Sequence, residues 1–280
     1  MDGIILVNKE ANMTSRDVVD AVVKKFKTDK VGHTGTLDPF ATGLMIITIG
    51  KGTKTGPFLE ALEKTYVATI KLGSKTTTGD LTGEVVETKP IGAITERQVW
   101  EILKTFVGES TQIPPMYSAL KVDGVPLYKM AREGKEIERK PRQIRIISIK
   151  LKAFSKEEIT IEVRCSKGTY IRTLGEDIAA KLGTVGHLTM LERTSVGPYS
   201  LNNAHALKYV SEKDLISVRS ALDFMEKVVV KGDDVKRIKD GKPFAFLQGT
   251  RLLVIDDHDE VLAVYEIDEN GVYRSLRGLF

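Results

Sequence analysis

The sequence predicts an α+β fold, in which a mixed or antiparallel central sheet is flanked by helices and followed by a small β-rich unit at the C-terminus. Three observations predict it. Short apolar runs alternate with stretches of helical periodicity, several of those runs lie close enough to pair as hairpins, and helical periodicity fades beyond about residue 228. Residues 4–7 read as a buried strand, and Ser15 can cap a helix with Val18, Val19, Val22, Val23 and Phe26 on one face. Residues 44–49 are another apolar run. Residues 66–72 alternate, with Tyr66, Ala68, Ile70 and Leu72 against Val67, Thr69 and Lys71, as in a strand with one buried face. Thr95 and Gln98 form a capping box for a helix lined by Val99, Ile102, Leu103 and Phe106, which Gly108 can terminate. Residues 144–151 and 159–165 alternate like paired strands, and 173–182 is helical up to Gly183. Residues 228–230, 251–255, 261–267 and 272–276 are short strands joined by Gly, Asp and Asn turns. The expected division is 1–228 for the main domain and 229–280 for the appendage, which is too short to bury much unless it packs on the main body.

Composition narrows the function classes. Charged residues at 29% and hydrophobic ones at 41% mark a folded globular chain, and a net charge of +4 permits a polyanionic partner. The single cysteine, Cys165, excludes an internal disulfide or a multi-cysteine metal site, and the histidines at 33, 187, 205 and 258 form no i, i+4 pair. No metal is expected. The N-terminal segment carries Asp2 and only four consecutive apolar residues, too few for a signal peptide or membrane span, so a cytoplasmic location is expected. Gly50-Lys51-Gly52 lacks the leading glycine and the following Ser or Thr of a phosphate-binding loop, which sets nucleotide hydrolysis aside.

The stretch Gly-His-Thr-Gly-Thr-Leu-Asp-Pro-Phe-Ala-Thr-Gly at 32–43 carries the strongest chemical signal. It presents one carboxylate, Asp38, in a loop of small residues whose glycines tolerate unusual torsions and close approach, while Pro39 fixes the chain direction. Standing alone, it reads more readily as an ordinary polar turn around a solvated aspartate. A second signal is charge. Residues 117–150 hold nine Lys or Arg against four Asp or Glu, a net +5 that exceeds the charge of the whole chain, with Tyr117 and Tyr128 interleaved. Cations mixed with aromatics suit a nucleic-acid surface, although a solvated lysine-rich loop has the same composition.

Four separated blocks, in collinear order, bear a family resemblance: the Asp38 loop, Lys64-Thr65-Tyr66, residues 114–121 (Pro-Pro-Met-Tyr-Ser-Ala-Leu-Lys) and 165–172 (Cys-Ser-Lys-Gly-Thr-Tyr-Ile-Arg). They resemble the motifs of the bacterial TruB family of tRNA pseudouridine-55 synthases, from Gly3 to about Val228, with Leu191-Glu192-Arg193-Thr194 at the family's late Arg-Thr element. The last fifty residues look, more weakly, like a PUA-type RNA-binding module. The chain departs from the pattern at Lys9-Glu10, where Lys-Pro is common, and at Phe40, where leucine is usual.

The resemblance implies a pseudouridine synthase fold, no cofactor, and tRNA, through its T-arm stem-loop, as partner, with neither a membrane nor an obligate protein partner. Asp38 then corresponds to the catalytic aspartate, Arg172 to the active-site arginine that would pair with it and lower its pKa, and Tyr66 to the tyrosine that stacks on the target base. Tyr170 and Leu191 become pocket walls, Lys64 a partner for phosphate or an acidic neighbour, and His33 an occupant of the space left by flipped nucleotides. Residues 117–145 correspond to the family's thumb, with Lys121, Arg132, Arg142 and Arg145 as phosphate contacts. Attack on C1′, attack on the base and a glycal-like intermediate all remain open for Asp38. Two other classes remain open too: a guide-dependent synthase of the dyskerin type and a non-catalytic RNA-binding or remodelling protein.

Overall fold

The computed structural model describes residues 1–245 and 249–280. In chain order the main body contains β1 (Gly3–Lys9), α1 (Ser15–Phe26), β2 (Val31–His33), β3 (Thr42–Ile49), α2 (Gly56–Glu60), β4 (Lys64–Leu72), β5 (Ser74–Thr76) and β6 (Val85–Thr88). It continues through α3 (Glu96–Lys104), β7 (Gly108–Gln112), β8 (Lys121–Val122), β9 (Val125–Pro126), α4 (Leu127–Arg132), β10 (Arg142–Phe154), β11 (Glu158–Cys165), α5 (Ile171–Lys181) and β12 (Gly186–Val196). The central sheet runs in the order β1, β3, β12, β4, β11, β10, β7, with His205–Ala206 beyond β1. It is mixed: β12 pairs β3 in parallel for two residues and His205–Ala206 pairs β1 in parallel, whereas β4, β11, β10 and β7 pair antiparallel.

Alternation in the strands explains why the middle of this sheet is covered on both faces. In β1, Ile5 and Val7 join the large core beneath α1, α3 and α5, while Ile4 and Leu6 join a smaller one with Leu44, Ile46 and Leu59. The β4 alternation holds as the sequence predicts, Tyr66, Ala68, Ile70 and Leu72 all being buried.

Three local expectations change. Thr14, not Ser15, caps α1, through a capping box with Asp17, which leaves the buried Ser15 hydroxyl free for a longer-range contact. The α3 capping box is present, but the helix ends at Lys104 and Gly108 instead opens β7. Helix α5 starts at Ile171, earlier than Thr173, because the Gln112 side chain bonds both the N–H and the C=O of Tyr170 and so replaces a conventional cap.

At the C-terminus, Glu226–Val230, Arg251–Asp256, Val261–Ile267 and Tyr273–Gly278 form a separate four-stranded sheet. The sequence reading shows only strands here, yet a helix spans Asp233–Lys239, acidic at its start and basic at its end as the helix dipole favours. Leu253, Ile255, Val264 and Leu279 from this unit pack with Phe58 and Leu222 of the main body. A sheet of this size gains its second covered face that way.

Candidate active site

The Asp38 loop is fixed from below by side chains of β1 and α1. Ser15 Oγ accepts from Leu37 N–H at 2.8 Å and donates to Leu37 C=O at 3.0 Å, so one hydroxyl satisfies both backbone groups. The fully buried Lys9 donates through Nζ to the carbonyls of Glu10, Met13 and Pro39, and Asn12 N–H also reaches Pro39 C=O. Lys9 itself therefore builds this turn, in which it is followed by Glu10 and not by proline. Burial brings its ammonium down to about 8. At the loop's far end Gly43 has φ +105 and lies against the Arg193 backbone, where an added Cβ would come within 2.4 Å of a carbonyl oxygen. Residues on both sides of Asp38 are thus held, and only its side chain is left to face outward. Ser15→Ala is expected to lower stability by about 1–3 kcal/mol in thermal or denaturant unfolding, because two buried backbone groups lose their partner.

Arg172 organises the floor of the site. Only 4% exposed, it meets Asp38 in a bidentate pair, Nε to Oδ2 at 2.9 Å and Nη2 to Oδ1 at 3.2 Å. Its remaining donors reach Thr78 C=O at 2.7 Å and Tyr117 C=O at 2.6 Å, and Asp80 Oδ2 lies 3.6 Å away. Asp38 keeps 32% of its side-chain surface. The expected lowering of its pKa is reversed: burial is the largest influence and raises the carboxyl above its ordinary range, Asp80 adds to this, and Arg172 and Lys9 oppose it.

Around Asp38 lies a cavity of about 310 Å³, bordered by Lys64, Tyr66, Tyr170, Arg172, Leu191 and Arg193. Burial raises the Tyr66 hydroxyl, which is hydrogen-bonded with Arg193, so it is protonated at neutral pH. Arg193 is itself buried and anchored to Leu44 C=O at 2.7 Å and Gly35 C=O at 3.1 Å. Lys64 donates to the carbonyls of Glu60 and Leu62, and burial together with Arg193 lowers it to about 8. His33 is not part of the cavity wall; its Nδ1 accepts from Gly35 N–H at 3.3 Å, and burial lowers its pKa.

The four cations expected to contact phosphates are exposed and separate into two groups. Arg142, at the start of β10, borders the cavity, as do Ser118, Ala119 and Leu120. Lys121 sits on the β8–β9 hairpin, whose turn places Asp123 and Gly124 at positive φ, and Arg132 ends α4 with its guanidinium 5.5 Å from the Tyr128 ring. Arg145 lies on β10, where its backbone bonds Ser166.

Residues 23–171 match the N-terminal domain of the TruB family of pseudouridylate synthases, and residues 172–229 match the C-terminal domain of tRNA pseudouridylate synthase B. The chain belongs to the TruB family. It is 45% identical over 249 residues to tRNA pseudouridine synthase B of Geotalea uraniireducens, covering 86% of this chain and 80% of that protein. It is 48% identical over 211 residues to the protein of the same name from Bordetella pertussis, covering 74% and 86% respectively. Among solved structures, a chain of a Cbf5–Nop10–Gar1 complex superposes with a TM-score of 0.73 at 24% identity, covering 94% of this chain and 78% of that one. The fold is that of the pseudouridine synthases.

Within this TruB-family site, the structure brings Asp38, Tyr66, Arg172, Lys64, Tyr170, Leu191 and Arg142 to one cavity, and leaves His33, Lys121, Arg132 and Arg145 outside its lining. Sequence reasoning passes over Lys9, Ser15, Asp80 and Arg193 as site residues. Asp80 is buried and accepts from Thr78 Oγ1 and Thr82 N–H, yet its Thr-Gly-Asp setting reads as an ordinary turn. Arg193 had one available signal, its place in the Leu191-Glu192-Arg193-Thr194 element; the structure adds that it pairs with Tyr66 across the sheet.

Proposed function

We propose that this enzyme isomerises uridine 55 in the T-loop of tRNA, with Asp38 as its catalytic carboxylate. tRNA follows from the names of the relatives, which share 40–48% of their residues with this chain. The single observation that supports the chemistry is a partly exposed carboxylate facing a cavity, held by a buried guanidinium and bordered by a buried tyrosine.

The reaction breaks the N1–C1′ bond and joins C5 to C1′; N1 gains a proton, C5 loses one, and no atom is added or lost. A carboxylate suits either of two tasks here, bonding reversibly to carbon or stabilising positive character at C1′. The Arg172 pair holds both oxygens in a fixed plane, which favours the ionised form against the effect of burial. Tyr66 offers a ring face for stacking and a hydroxyl that keeps its proton. Leu191 and Tyr170 bound the base, and Lys64 lies within its reach as a positive charge. Extrusion of a nucleotide costs about a few kcal/mol of unstacking, which contacts along the thumb and His33 would offset.

The test is incubation of the purified chain alone with unmodified T-arm hairpins. Pseudouridine has the mass of uridine, so acrylonitrile, which alkylates the N1–H found only in the product, marks it for mass spectrometry. Product at the uridine equivalent to 55 without a guide RNA is expected; product that requires a second RNA would instead identify a guide-dependent enzyme. Neutralising Lys121, Arg132 and Arg142 together should flatten the salt dependence of RNA binding, by about one unit of log–log slope for each phosphate contact removed. An unchanged slope would exclude that surface.

A further inference from the structure

A second cavity, of about 320 Å³, shares Arg172 with the first but lies one turn further along α5, where Glu176 replaces Asp38 as the carboxylate on its wall. Its walls come from the β5–β6 turn, from α5 and from the thumb, so any RNA that reaches Asp38 beneath the thumb passes beside it. Ile113, Pro115 and Met116 supply an apolar side of a kind on which a planar ring can lie.

Its polar groups have unused hydrogen-bonding capacity. No hydrogen bond among the described residues reaches the Glu176 carboxylate, and the nearest cation, Lys75 Nζ, is 3.9 Å away. Burial raises this carboxyl as well. Arg139 is turned inward from the thumb, with Nη1 on Pro114 C=O at 3.2 Å and Nη2 on Glu136 at 3.0 Å; each of these nitrogens keeps a second N–H, whereas Nε is sealed in the protein. A half-buried carboxylate without a donor and a guanidinium with spare N–H groups line the same cavity, so it offers both an acceptor and a donor. Phosphate is a poor occupant: Arg139 and Arg172 are already engaged by Glu136 and Asp38, and the Glu176 carboxylate, which lacks a donor, would face the anion across an apolar side.

We propose that this cavity is a second nucleobase pocket, which takes an amino-bearing base flanking the target nucleotide in the same RNA. Glu176 accepts from the exocyclic amine and the Arg139 guanidinium faces the acceptor edge. This rests on the reading of RNA bound at Asp38. It makes Glu176 a specificity-determining residue with no part in bond breaking. Uracil is disfavoured because it presents a carbonyl oxygen to the carboxylate where cytosine presents an amine.

The test uses T-arm hairpins in which each amino-bearing base within three nucleotides of the target is replaced in turn by uridine, assayed for pseudouridine at the target. With the wild-type chain, replacement at one flanking position should lower kcat/KM about tenfold, the scale of a hydrogen bond to a charged group. Glu176→Gln, whose amide both donates and accepts, should shrink that penalty to twofold or less while processing the uridine-substituted hairpin at the wild-type rate. Glu176→Asp should retain part of it. Arg139→Gln gives a second measurement at the same position should the Glu176 variants fold poorly. A wild-type chain indifferent to every flanking base, or a full penalty persisting in both Glu176→Gln and Arg139→Gln, would overturn the proposal. Wild-type failure to modify any hairpin would instead refute the parent reading.

Discussion

Asp38→Asn is expected to lower the single-turnover rate of pseudouridine formation by about 10⁴-fold or more, while T-arm RNA affinity stays within about threefold. The amide keeps the shape and one acceptor for Arg172, so the loop pinned by Ser15 and Lys9 has little reason to move. What is lost is the negative charge and, in the proposed chemistry, the oxygen that would bond to carbon or stabilise C1′. The pH profile of the wild-type enzyme supplies a second check. Burial raises the Asp38 carboxyl above the ordinary aspartate value of 3.8, and under the proposed mechanism only the ionised form acts at C1′ or on the base. The rate should therefore fall as pH falls through that raised pKa, with an acid limb displaced upward from the ordinary aspartate range. Wild-type turnover in Asp38→Asn would remove the carboxylate from the mechanism.

The sequence shows Asp38 because of what surrounds it: a carboxylate among small residues, glycine and proline has no packing role. It does not show Ser15 in its actual role. A serine just before a helical run reads as a cap, and only the three-dimensional approach of Leu37 reveals that Thr14 caps and Ser15 positions the Asp38 loop. Apolar runs make β1 and β3 legible and alternation does the same for β4, β10 and β11, whereas β2, β5 and β6 are short or exposed and leave little periodic trace. The C-terminal helix Asp233–Lys239, with only Ile238 fully buried, escapes for the same reason. The pKa of Asp38 is illegible on different grounds. Sequence can place an arginine beside a carboxylate, but the competing desolvation depends on how deeply the fold sets the pair, and here burial is the larger effect.

Removing the guanidinium of Arg172 should be the most disruptive change outside Asp38, and two variants separate its functions. Arg172→Met keeps the length and apolar stem but removes the charge, leaving Asp38, Asp80 and the carbonyls of Thr78 and Tyr117 without their shared partner. Breaking a buried ion pair by deleting one member costs about 3–5 kcal/mol, which unfolding experiments should register. Arg172 also opposes the upward shift of Asp38, so its loss should raise that carboxyl further and move the acid limb of the rate profile to higher pH. Arg172→Lys restores a positive charge but not the fork. A single ammonium cannot pair both Asp38 oxygens while also donating to the carbonyls on either side. Stability and the acid limb should therefore recover part of the way in Arg172→Lys, while the rate on bound RNA remains about 100-fold down because the carboxylate plane and the Tyr117 carbonyl of the thumb are no longer set by one group. An acid limb in Arg172→Met unmoved from that of the wild type would show that the guanidinium does not govern Asp38, and that the pairing seen in the structure is a structural contact alone.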